Sequence, residues 1–73
     1  KEGRTDEAVA QFDRVLQLDP SYLTAHFQKG SALIAAGRVP EARAALAAGI
    51  AAANASGDLH TASEMRALLD TLD

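Results

Sequence analysis

Seventy-three residues with a formal net charge of −3 make one small domain, with a core near the lower limit for independent stability. The seven Lys and Arg are scattered, which excludes the clustered positive face of a nucleic-acid binder, and no apolar run reaches the roughly 18–20 residues of a membrane span. There is no cysteine, so neither a disulfide nor a thiolate site reinforces the fold.

In chain order, Thr5 suits a helix N-cap, and Asp6 and Glu7 fall in the first turn, where the helix dipole favours acids. Ala8, Phe12, Val15 and Leu16 follow as an apolar stripe on a helix predicted over 5–18. Pro20 ends it, because the residue before a proline avoids the α region. Ser21 is placed to cap a second helix over 22–36, and Gly37 stands where a left-handed residue closes it. Pro40 suits the first position of a third helix, which its alanine content carries over 40–55. Gly57 ends that helix. Asp58 is placed to cap a fourth, over 59–72, on which Leu59, Ala62, Met65, Leu69 and Leu72 form one face. No segment alternates apolar and polar residues as a half-buried strand does. The expected fold class is all-α, with about four helices in antiparallel hairpins joined by short loops.

A longer pattern overlies these elements. Gly3-Arg4-Thr5-Asp6-Glu7-Ala8-Val9-Ala10 returns as Gly37-Arg38-Val39-Pro40-Glu41-Ala42-Arg43-Ala44, an offset of 37 − 3 = 34 residues. At the same offset Phe12 becomes Leu46 and Leu16 becomes Ile50. A fixed period in this range marks a stacked helical repeat. The chain resembles the tetratricopeptide repeat, a helix–turn–helix unit of about 34 residues. Gly30 and Leu33 stand at that family's small and large positions in one helix. Gly37 stands at the turn, and Ala42, Leu46 and Gly49 at the small, large and second small positions of the next helix. Ala8, Phe12, Val15, Leu16 and Pro20 take the same roles in the first helix, and Leu16-Gln17-Leu18-Asp19-Pro20 looks like the usual repeat ending.

The resemblance covers about 3–56. It divides a single domain, 1–73, into the second helix of one repeat (5–20), a full repeat (21–56) and a capping helix (58–73). A chain that starts at Lys1, inside a repeat, is expected to be a piece of a longer protein. Some positions depart from the pattern. His26 stands where the family often has Trp. Lys29 stands where it has Leu, so that either its stem lies along the core edge or Phe27 covers the gap. Asn54 replaces the closing proline, and Glu64 stands where a small residue is expected. Leu in place of Gly30 or Gly49 is expected to overpack, whereas Ala at Gly49 is expected to be neutral or stabilising through helix propensity.

Candidate chemistry is sparse. His26 and His60 lie 60 − 26 = 34 residues apart, but with no Cys or carboxylate at ligand spacing they read as ordinary packing or surface histidines. The serines lack a nucleophile motif and the glycines a phosphate cradle. No catalytic residue, metal or cofactor is expected, and the chain is not read as an enzyme. The resemblance implies that the first helix of a unit lines a concave face, so that Thr24, Phe27, Gln28, Ser31 and Ile34 would face a protein or peptide partner, with plain core packing as the alternative for Phe27. Some relatives clamp a partner's carboxylates with Lys, Asn and Arg. Phe27, Gln28 and Ser31 occupy the corresponding places here, which suits a helix or an extended apolar peptide better. The expected function is a protein–protein interaction module. The alternatives are a structural, self-associating end of a repeat array, or an accessory domain of an enzyme whose active site lies elsewhere. Neither nucleic acid nor membrane is an expected partner, and a cytoplasmic location is expected. Val9, Phe12 and Leu16 would leave an apolar face on the first helix, so either a further N-terminal helix or a chain–chain contact, a homodimer being the commonest form, is expected to cover it.

Overall fold

The computed structural model describes residues 2–72, the Glu2 side chain excepted. It places four helices in chain order: α1 Glu2–Leu18, α2 Leu23–Ala35, α3 Val39–Ala55 and α4 Leu59–Asp70. Among the described residues there is no strand. The connections 19–22, 36–38 and 56–58 hold four, three and three residues. Loops this short turn each helix back along the one before it, and α1 packs on α2, α2 on α3 and α3 on α4. The result is a slab of 35 × 31 × 14 Å.

The last two loops are built alike. Gly37 and Gly57 have φ of 75° and 79°, a left-handed conformation that costs a residue with a Cβ about 1–2 kcal/mol. At the first, the Gly37 N–H donates to Ile34 O (2.9 Å) and the Arg38 N–H to Leu33 O (2.9 Å). At the second, the Gly57 N–H donates to Asn54 O (3.1 Å) and the Asp58 N–H to Ala53 O (2.8 Å). Both are Schellman closures, which satisfy carbonyls that the helix end would otherwise leave unpaired.

The helix starts differ from expectation at three places, the slightest at α3, which begins at Val39 and so takes Pro40 as its second residue. α1 begins at Glu2, so Thr5 lies inside it and is not an N-cap. Gly3 weakens a helix by roughly 1 kcal/mol relative to Ala but does not stop one. Ser21 does not cap α2. Its N–H and hydroxyl both donate to Asp19 Oδ1, at 3.2 and 2.9 Å, and this local turn holds it out of the helix. α2 therefore starts after Tyr22, whose side chain makes no capping bond. The ring of His26 ties the turn down instead, with Nε2 donating to Pro20 O at 2.9 Å. Asp58 caps α4 as expected, accepting the Thr61 N–H at 3.0 Å.

α3 is the central helix and buries residues toward both neighbours. Leu46, Ile50 and Ala53 join Ala62 and Met65 of α4 in one cluster, and Ala42 and Ala45 join Leu33 of α2 in a second. The equivalents of Leu46 and Ile50 on α1, Phe12 and Leu16, are only half-buried. Leu59 departs from the apolar face expected of α4. As the first residue after the cap it is 69% exposed.

Two glycines set the helix spacing. A Cβ on Gly30 would lie 2.6 Å from Leu46 Cδ2. A Cβ on Gly49 would lie 2.8 Å from His26 Cβ and 2.5 Å from Met65 Sδ. These distances overturn the expectation that Ala at Gly49 is neutral or stabilising, because the gain in helix propensity is opposed by a collision with an atom fixed to the α2 backbone. Lys29 takes the first of the two arrangements expected for it. It is half-buried, and its ammonium pairs with Asp13 of α1.

Candidate functional site

α2 and α4 are separated in sequence by the whole of α3, and the fold lays them on either side of an open groove of about 400 Å³. Leu23, Thr24, Phe27 and Gln28 form the α2 wall, and Asp58, Thr61 and Glu64 the α4 wall. The helical repeat explains this selection. Residues three or four apart share one side of a helix, so positions 24, 27 and 28 on one element, and 61 and 64 on the other, project the same way. Leu23 and Phe27 are half-buried because they also pack against the cluster of Leu46, Ile50, Ala53, Ala62 and Met65. They give the groove an apolar floor supported by core. Thr24 and Gln28 are exposed at its edge.

The α4 wall is acidic. Asp58 accepts the N–H of Thr61 at 3.0 Å and its hydroxyl at 2.8 Å. The backbone bond first, and the hydroxyl bond second, hold its carboxyl below the ordinary aspartate range. Glu64 Oε2 lies 3.2 Å from His60 Nε2, one helical turn away on an exposed face.

Three of the five residues expected to face a partner line this groove: Thr24, Phe27 and Gln28. Ser31 is exposed but lies outside the lining. Ile34 also lies outside it, half-buried against both core clusters. Sequence reasoning missed the whole α4 wall, although a signal for it was present. Asp58, Thr61 and Glu64 are the 34-residue equivalents of Thr24, Phe27 and Gly30, since 24 + 34 = 58, 27 + 34 = 61 and 30 + 34 = 64. The period thus carries Thr24 and Phe27 onto Asp58 and Thr61, whereas Glu64 corresponds to Gly30, which is buried and outside the lining.

The two histidines stand apart. His26 is buried between the α1–α2 turn and α3, while the His60 side chain is 84% exposed on α4. Among the described residues, no group of three His, Cys, Asp or Glu side chains is placed to hold a metal. A second crevice, of about 310 Å³, opens between α1, α2 and α3, but two of its charged groups, Asp13 and Lys29, are already paired with each other. At the outer end of α1, Val15 and Leu18 are 36% and 83% exposed. No helix among the described residues is long and apolar enough to cross a membrane.

The tetratricopeptide repeat family's sequence model matches residues 1–69. The chain is also similar to the solution structure of a tetratricopeptide repeat domain protein from Salinibacter ruber. The TM-score is 0.87 at 23% sequence identity, covering 100% of this chain and 74% of that one. At this identity the likeness is one of fold. No curated protein matches the chain.

Proposed function

The chain belongs to the tetratricopeptide repeat family, and from that premise we propose that it is a protein-interaction module whose groove between α2 and α4 holds a peptide or helix of a partner protein. The observation that carries this reading is Phe27. Its ring packs on the core yet lines an open groove, so it is held rigid while keeping a surface for a second molecule. A preorganised aromatic anchor of this kind loses little entropy on binding. Thr24 and Gln28 supply a hydroxyl and an amide beside it, and Ser31 and Ile34 extend the contact along α2 beyond the groove. The reading assigns the chain no catalytic step, only docking on a preformed surface. It keeps the division into 5–20, 21–56 and 58–73, with α2 and α4 supplying the two walls, and a cytoplasmic location.

The test is selection from a displayed random-peptide library against the wild-type chain, followed by binding of the selected peptides to Phe27→Ala and Thr24→Trp. Selected peptides are expected to lose at least tenfold in affinity for both variants, while circular dichroism shows that the variants remain helical. Peptides that bind both folded variants as well as wild type would place the interaction elsewhere.

The exposure of Val15 and Leu18 favours a second reading, self-association through α1. Sedimentation over a range of concentrations tests it, and a single monomeric species throughout would exclude it.

A further inference from the structure

The charged groups lining the α2–α4 groove are all of one sign. Asp58 and Glu64 line it, and no Lys or Arg does. The cations of α2 and of the α2–α3 loop are turned toward other partners, Lys29 to Asp13 of α1, and Arg38 to Asp6 of α1 and Glu41. Neither groove acid is neutralised by its own partners. Asp58 receives two neutral hydrogen bonds from Thr61, which use about half of a carboxylate's acceptor sites and leave its charge in place. Among the described residues Glu64 is paired with His60, which carries charge only when protonated. Beside these acids lies the apolar floor of Leu23 and Phe27.

We propose that the groove selects a cationic amphipathic peptide, with an apolar side chain seated on Phe27 and Leu23 and a Lys or Arg set against Glu64 and Asp58. This deepens the docking reading of the same groove and rests on it. Charges at the rim of a binding surface act mainly on association rate and on partner choice. An acidic segment meets two like charges and no compensating cation, and is rejected for the same reason. The preference is electrostatic between exposed groups, so it weakens as salt shortens the screening length to about 3 Å at 1 M.

Two fluorescein-labelled peptides test this. Both carry Leu at one helical face, and they differ only in having Lys or Glu at the remaining positions. Anisotropy at low salt is expected to show the Lys peptide binding more tightly than the Glu peptide, with the difference shrinking as salt is added. In the double variant Asp58→Asn, Glu64→Gln the Lys peptide is expected to lose about fourfold to twenty-five-fold, since each exposed pair is worth a factor of about two to five. Asn retains the helix cap, so the variant should stay folded. Glu7→Gln with Asp70→Asn removes the same charge at exposed positions outside the groove, and should leave the preference unchanged. If that control abolishes the preference equally, the attraction comes from the net charge of −3 and the proposal fails. If both peptides bind equally well and both are blocked by Thr24→Trp, the groove docks partners but the charge class is wrong. If neither binds, or if binding ignores Thr24→Trp, the cationic proposal is overturned, and the docking reading is then decided by the library selection alone.

Discussion

Replacing Gly49 with Ala adds one methyl group, and the structure assigns it a sign opposite to helix propensity. In an exposed helix interior this change stabilises by roughly 1 kcal/mol. At Gly49 the new Cβ would sit 2.8 Å from His26 Cβ, 2.5 Å from Met65 Sδ and 3.1 Å from Met65 Cε. The thioether is the flexible end of its side chain, but Met65 is fully buried and has little room to retreat. His26 Cβ moves only with the α2 backbone, and its ring is tethered to Pro20 O at 2.9 Å. Relief therefore requires α2 and α3 to separate by several tenths of an ångström, loosening Leu46 and Ile50 as well. Overpacking of this kind costs about 1–3 kcal/mol. Set against the propensity gain, the net expectation is a loss of up to about 2 kcal/mol, or up to about 15 °C in melting temperature for a chain of this size. Far-UV circular dichroism on heating, with urea titration for the midpoint, measures it. Gly3→Ala is the comparator, because a Cβ there meets nothing within 4 Å. It should be neutral or raise the melting temperature. A Gly49→Ala chain melting at or above wild type would show slack between α2, α3 and α4 and refute this account of the spacing.

Acidification should reveal the Asp58 cap. Its folded-state carboxyl titrates below the unfolded value of about 3.9, so its stabilisation is complete above that value and is lost as pH falls through the depressed one. Between neutral pH and about pH 2, wild type should lose more stability than Asp58→Asn, and parallel losses would mean that the carboxylate contributes nothing beyond a neutral cap. At Gly57, Ala should destabilise by about 1–2 kcal/mol through its φ of 79° alone, and Asn by less, because Asn tolerates the left-handed region; equal melting temperatures for all three chains would contradict the closure described. If α1 self-associates, Leu18→Lys should shift sedimentation toward monomer with little change in melting at high dilution, because Leu18 is 83% exposed and packs on little within the chain.

The chain's own order was enough to determine the helices and most of their ends. Schellman closures at Gly37 and Gly57 and the cap at Asp58 depend on residues within one turn of each other, so their chemistry can be read locally. The 34-residue period extended that legibility to the repeat architecture, and the family resemblance it supports pointed to the α2 side of the groove. Tertiary structure decided what depends on the distance between helices. Gly49 was legible as a close-packing position, but not that even a methyl group there would meet His26 and Met65 from two other helices. Arg38 reaches Asp6 of α1 across 32 residues at 2.6 Å, and Glu64 became a groove residue only when α3 carried α4 alongside α2. Separations of a few tenths of an ångström between helices are set jointly by small residues on all of them. No single stretch of sequence contains that quantity, and with it goes the choice of which side chains meet.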